Sequence, residues 1–149
     1  MKKFIYADPL QCSGCRICEI VCSFEKEKVY NPRKSRIRVV RTRELIDLPI
    51  ACIHCYSPPC ARVCPVNAIE EDEVVKVIAE RCIGCGLCVE ACIIGAIDIH
   101  PDGYAYICDL CGVCVEKCPN QALKIVTPSQ VSQRKQLEYL TRMLRGESP

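Results

Sequence analysis

Apolar positions along this chain come in short, separated groups. Val74–Ile78, Ile97–Ile99, Tyr104–Ile107 and Leu123–Val126 alternate or cluster apolar residues in the manner of short strands. Asp102-Gly103, between the second and third of these, is a hairpin turn signal. Phe4–Tyr6 near the start could pair with Lys124–Val126 and close the ends on each other. Ala68-Ile69, Ala96-Ile97 and Ala122-Leu123 recur at matching points of the chain. From Thr127 the pattern changes. Thr127 can cap a helix with Pro128 at its first position. Val131, Leu137, Leu140 and Leu144 then form a sparse apolar stripe, and Gly146 suits its end. Arg134, Lys135, Glu138, Arg142 and Arg145 surround that stripe. Such a helix packs on its own domain or reaches a partner subunit. The pattern predicts an α+β fold of short hairpins and short helices, with a C-terminal helical tail over residues 127–149.

No stretch approaches the ~20 apolar residues of a membrane span. The apolar run at the start, Phe4–Ala7, falls short of the 7–15 residues of a secretory leader. The expected location is cytoplasmic. The 149 residues include no Trp and two Phe, so a conventional core would be thin and would need a staple. They also include 16 cysteines. In a reducing compartment, cysteine at this density points to metal rather than disulfides.

The cysteines fall into four blocks with none left over. These are Cys12-x2-Cys15-x2-Cys18-x3-Cys22, Cys52-x2-Cys55-x4-Cys60-x3-Cys64, Cys82-x2-Cys85-x2-Cys88-x3-Cys92 and Cys108-x2-Cys111-x2-Cys114-x3-Cys118. A [4Fe-4S] cube needs four thiolates. Three cysteines at x2 spacing wrap three corners from one loop, and the x3 step carries a fourth toward a second cube, the bacterial ferredoxin run. Gly14, Gly84, Gly86 and Gly112 suit the tight wrap, and Pro65 and Pro119 end the ligand-bearing helices. Zinc would instead close on two separated Cys-x2-Cys pairs. The count is four [4Fe-4S] clusters on sixteen metal ligands. Each oxidised site with its thiolates carries about −2, which moves the formal net charge from +2 to roughly −6. Much of the fold would pack around the clusters, so apoprotein should be largely unfolded.

Other residues offer less. His54, inside the second block, reads as a partly exposed loop residue or as a hydrogen-bond donor to a sulfur, and His100 as a turn residue. Arg33–Arg43 carries six cationic residues, with Ile37 and Val39 alternating with Arg36 and Arg38. A strand with one basic face fits, either as a solvated edge or as a docking face and counter-charge for anionic clusters. No aromatic platform accompanies it, so nucleic-acid binding is not expected. The sequence shows no dinucleotide-binding glycine pattern and no nucleophile–base pair. Asp8 and Asp109 have no catalytic setting.

The four blocks resemble the four-cluster ferredoxin-like subunits of multisubunit oxidoreductases, the family of the dimethyl-sulfoxide reductase iron–sulfur subunit. The resemblance covers roughly residues 3–126. The stretches CSGCRICEIVCSFEKEKVYNPRKSRIRVVR and CIHCYSPPCARVCPVNAI look most like the small subunit accompanying tungsten aldehyde:ferredoxin oxidoreductases. The resemblance implies nested pairing. An outer two-cluster unit would use residues 1–50 and 101–126, and an inner one residues 51–100. One cluster would take Cys12, Cys15, Cys18 and Cys118, and its mate Cys108, Cys111, Cys114 and Cys22. The inner pair would take Cys52, Cys55, Cys60 and Cys92, then Cys82, Cys85, Cys88 and Cys64. Spacing alone leaves sequential pairing open.

The function expected is electron transfer, with no catalysis by the chain itself. It would relay electrons between a catalytic subunit, tungsten- or molybdenum-pterin aldehyde oxidoreductase in the first reading, and a ferredoxin, a flavin subunit or another copy of itself. The alternatives are a subunit of carbon monoxide dehydrogenase, hydrogenase or formate dehydrogenase, and a free polyferredoxin.

Overall fold

In a computed structural model the ends of the chain meet. β1 (Phe4–Ala7) and β8 (Leu123–Val126) run antiparallel, with Phe4 opposite Val126 and Ala7 opposite Leu123. This is the pairing that the two apolar segments predict. The structure describes residues 1–43 and 46–145, and for 138–144 the backbone only.

Three hairpins lie between these strands. β2 (Arg38–Arg41) pairs with β3 (Asp47–Ile50), β4 (Ile69–Glu70) with β5 (Lys76–Val77), and β6 (Asp98–Ile99) with β7 (Ala105–Tyr106). The strands are shorter than the apolar runs that predict them. The β6–β7 turn holds Asp102-Gly103, with Gly103 at φ 89° and its N–H bonded to the His100 carbonyl. This hairpin spans the boundary expected between residues 100 and 101, and Ala105 and Ile107 pack in the core of the middle segment.

A two-stranded ribbon is marginal alone in water. Each ribbon here leans on cysteine. One core gathers Ile5, Ile37, Val39, Ala51 and Leu123 around Cys18, Cys22, Cys108 and Cys114. The other gathers Ile69, Val75, Ile97, Ala105 and Ile107 around Cys60 and Cys88. Cys52 packs against both.

The helices follow the blocks. α1 (Ile17–Glu27) packs on α4 (Val113–Glu116), and α2 (Pro59–Arg62) on α3 (Leu87–Ala91). α2, α3 and α4 are single turns. Three residues after each last cysteine, Asn67, Gly95 and Gln121 turn left-handed, and each donates its N–H back to the carbonyl of that cysteine. In the first block the equivalent residue is Glu25, which continues α1 to its end at left-handed Lys28. Ser23 stands on this longer helix where the second and fourth blocks have proline; its hydroxyl donates to the Ile20 carbonyl and accepts from the Asn31 N–H. α5 (Pro128–Leu144) begins where Thr127 and Pro128 predict. Of its expected stripe, the Leu140 and Leu144 side chains and Gly146 lie outside the described residues. Among the described residues, no helix is long and apolar enough to cross a membrane.

Candidate metal centres

The first Cys-x2-Cys step of each block is shaped by one left-handed residue just before its second cysteine. These are Gly14, His54, Gly84 and Leu110. In three blocks a second left-handed residue follows that cysteine and starts the helix: Arg16, Gly86 and Gly112. Such alternation turns successive backbone N–H groups toward one side, the side that receives negative charge. A side chain would meet a close neighbour at two of these positions, a fixed backbone atom at Gly84 and a movable side chain at Gly14. A Cβ on Gly84 would strike the Gly103 carbonyl oxygen, and one on Gly14 the Asp47 carboxylate.

Three cavities are each lined by four cysteines. One has Cys12, Cys15, Cys18 and Cys118. A second has Cys52, Cys55, Cys60 and Cys92. A third has Cys64, Cys82, Cys85 and Cys88. In every case three cysteines come from one block and one from another. The remaining four are Cys22, Cys108, Cys111 and Cys114. Cys22, Cys108 and Cys114 share one core, and the Cys114 thiol is pushed up by burial first and then by Cys108, Cys22 and Cys111. Among the described residues, no group of three or more His, Cys, Asp or Glu converges on a point that would hold a single metal ion. The sulfurs surround voids instead.

Burial pushes the Cys18 and Cys108 thiols up to about 12, and those of Cys52 and Cys60 up to about 11. A neutral chain therefore carries thiols there, and a bound metal must displace their protons. Backbone donors stand ready for the thiolates. The N–H groups of Ala68 and Ala96 reach the Sγ atoms of Cys64 and Cys92, four residues back, at 3.2 and 3.3 Å. Ala105 donates to Cys82 at 3.2 Å, Arg36 to Cys22 at 3.3 Å and His54 to Cys52 at 3.4 Å. Two of the recurrent alanines seen in the sequence, Ala68 and Ala96, are small where backbone must approach sulfur. In the first block the helix occupies that place, so the donor comes from Arg36. Four thiols around a void, with amide donors aimed at sulfur, are the donor set of an iron–sulfur cube.

The histidines and basic residues differ from expectation. His54 is buried, not partly exposed. Its Nδ1 accepts the Val75 N–H at 3.1 Å, and burial, helped by Lys2, lowers its pKa to about 4. It is thus a neutral ring that buttresses the loop. His100 does sit in the turn but is also buried, stacked on Tyr104 at 4.6 Å. Ile37 and Val39 are buried, as the alternation predicts. Arg36, Arg38 and Arg41 pair with acids, although the Arg38 and Arg41 side chains stay 42% and 55% exposed. Arg38 reaches Asp98 at 2.7 Å and the Tyr106 hydroxyl at 2.8 Å. Arg36 meets Asp109 at 3.4 Å, and Arg41 makes two bonds to Asp47. Asp8 accepts from Arg134 of α5 at 2.8 Å, and the same guanidinium lies over the Tyr6 ring. The first part of the tail thus docks on its own domain.

Two family models match the chain. The LdpA Fe-S cluster-binding domain matches residues 49–102, and the 4Fe-4S binding domain residues 105–124. The aliphatic sulfonate oxidoreductase polyferredoxin-like subunit of Pyrococcus furiosus is 45% identical, over 83% of this chain and 78% of its own length. Hydrogenase-4 component A of Escherichia coli is 39% identical, over 65% of this chain and 47% of its own length. The electron transport protein HydN of Escherichia coli is 38% identical, over 66% of this chain and 61% of its own length. The chain therefore spans less than two thirds of the last two.

Proposed function

The chain belongs to the family of polyferredoxin-like iron–sulfur subunits, and from that premise we propose that it is the electron-relay subunit of an oxidoreductase complex, carrying four [4Fe-4S] clusters in two nested ferredoxin-like units. The observation that carries this reading is the lining of the three cavities, three cysteines from one block and one from another. Cys12, Cys15, Cys18 and Cys118 hold one cluster, and Cys108, Cys111, Cys114 and Cys22 its mate. Cys52, Cys55, Cys60 and Cys92 hold the third, and Cys82, Cys85, Cys88 and Cys64 the fourth. The packing of α1 on α4 and of α2 on α3 supports the same nesting. The inner unit runs from residue 51 through the β6–β7 hairpin, and the flanks form the outer one.

When bound, each cluster takes up and returns one electron. The chain does the rest. Its thiols wrap the corners, its amides donate to sulfur, and its apolar ribbons keep water from the buried cysteines. Catalysis belongs to a partner, which we take to be a tungsten- or molybdenum-pterin aldehyde oxidoreductase in the cytoplasm, passing electrons on to a ferredoxin or flavin subunit. The sequence around the first two blocks supports this partner, and the name of the Pyrococcus furiosus relative supports an oxidoreductase of small organic molecules more broadly. The relation to hydrogenase-4 component A favours a second reading, a hydrogenase-linked complex.

Oxygen-free purification from the native source tests both levels. The expected result is a brown complex with about 16 Fe per chain and tungsten or molybdenum in the co-purifying subunit. Colourless protein with zinc would overturn the cluster reading. Nickel without tungsten or molybdenum would overturn the first partner in favour of the second.

A further inference from the structure

The ion pairs of this protein are asymmetric in burial, and the sense of the asymmetry changes from site to site. Near the cavity of Cys12, Cys15, Cys18 and Cys118, which Arg16 lines, three carboxylates are more buried than the cations they pair with. Glu19 follows ligand Cys18 and accepts the Val39 N–H at 2.7 Å; Val39 itself lines the cavity. The Glu19 side chain is 5% exposed, and Arg16, its ionic neighbour at 3.6 Å, is 54% exposed. Asp47, set against Gly14, is 8% exposed and its Arg41 partner 55%. Asp8, whose carbonyl accepts the Cys12 N–H, is 9% exposed and Arg134 39%. Arg134 pairs with Asp8 at 2.8 Å and Arg41 with Asp47 at 2.9 Å.

At the two central sites, that of Cys22, Cys108, Cys111 and Cys114 and that of Cys52, Cys55, Cys60 and Cys92, where Cys52 packs on both cores, the order is reversed. Lys26 is 14% exposed, and its partner Asp109, bonded at 2.7 Å beside ligand Cys108, is 36% exposed. Lys2 is 12% exposed, donates to the carbonyl of ligand Cys55 at 2.8 Å, and pairs with Glu71, which is 42% exposed. At the fourth site the nearby pair, Arg81 and Glu70, is exposed on both sides. An exposed charge is screened by water and salt, whereas a buried one acts at low dielectric. The more buried member of each pair therefore weighs more on its sulfur set than the exposed one.

We propose that these buried charges grade the four sites, with Glu19, Asp47 and Asp8 making the Cys12–Cys15–Cys18–Cys118 site the hardest to reduce and Lys26 and Lys2 making the two central sites the easiest. The proposal rests on the cluster reading above. Reduction adds an electron, so a buried carboxylate opposes it and a buried ammonium favours it. The charged groups act on potential through space and position no substrate.

The test is a redox titration of the intact holoprotein followed by electron paramagnetic resonance, with iron counted first in every sample. Cys15→Ser and Cys111→Ser, each altering one ligand set, identify the two signals. Glu19→Gln keeps an oxygen for the Val39 N–H and removes the charge. It should raise the midpoint of the signal that Cys15→Ser alters. Lys26→Gln should lower the midpoint of the signal that Cys111→Ser alters, and Lys26→Arg should leave it in place. The expected size is roughly tenfold in the one-electron equilibrium constant, about 59 mV, for each charge removed. A loosened fold would not move two signals in opposite directions. Full iron with midpoints unmoved, or moved in the same direction, overturns this proposal alone. A chain that takes up no iron overturns it together with the cluster reading.

Discussion

The middle of the chain and its flanks face the same task and solve it differently. Both must hold cysteines of two blocks against one another. The middle uses local contacts: the β4–β5 and β6–β7 hairpins, and two single-turn helices packed together. The flanks need the chain ends to meet. Phe4 pairs with Val126, and Asn120 donates to the Gln11 carbonyl 109 positions away. Closing a long loop costs more entropy than closing a short one and slows folding. The middle can therefore assemble first and serve as the floor on which the flanks close. The flanks compensate with a longer helix, α1, and with arginines that reach into the middle.

The sharpest way to break the middle is at Gly84. Gly84→Ala puts a methyl group against a backbone oxygen that cannot step aside, at φ 65°. A loss of about 3 kcal/mol is expected in oxygen-free denaturant titration of the holoprotein. Gly14→Ala is the matching change in the flanks. There the obstacle is the Asp47 side chain, which can rotate at the expense of its Arg41 bonds, so about 2 kcal/mol is expected. Equal losses would show that the two loops are alike in rigidity. Gly95→Ala, with open space around it and only the left-handed φ to resist, should lose about 1 kcal/mol.

Smaller changes probe the link between the regions. Arg38→Met removes the bonds from β2 to Asp98 and Tyr106 of the β6–β7 hairpin. The pair is partly exposed and screened, so roughly 1 kcal/mol is expected. Hydrogen exchange should rise at Val39 and Val40 before it rises at Ala105. Arg134→Ala frees the start of α5 from Asp8 and Tyr6. Its stability change should stay under about 1 kcal/mol, and its signature is faster proteolysis after Thr127 with the sixteen cysteines unaffected.

Much of the fold was legible because its signals are local or paired. The Asp102-Gly103 turn, the Thr127-Pro128 helix start and the buried Ile37 and Val39 follow from backbone preference and alternation. The β1–β8 pairing needed only two matching apolar segments. The length of α1 was not legible: the third block also lacks proline after its last cysteine, yet α3 stops, because Gly95 supplies a left-handed turn where α1 has Glu25. The fate of the basic segment was hidden for another reason. Asp109 and Asp98, which bond Arg36 and Arg38, lie 73 and 60 positions away, and nothing local to the arginines announces them. His54 looked like a loop residue because it is one, but its loop is folded inward against Val75.

The nested arrangement turns on which cysteine completes which set. Replacing Cys12, Cys15 and Cys18 by alanine should empty one site and leave about 12 Fe per chain. Adding Cys118→Ala to that triple variant should leave the count near 12, because Cys118 then serves no remaining cluster. Adding Cys22→Ala instead should lower it further, because Cys22 belongs with Cys108, Cys111 and Cys114. Iron counts in the opposite order, unchanged with Cys22→Ala and reduced with Cys118→Ala, would contradict the nested arrangement.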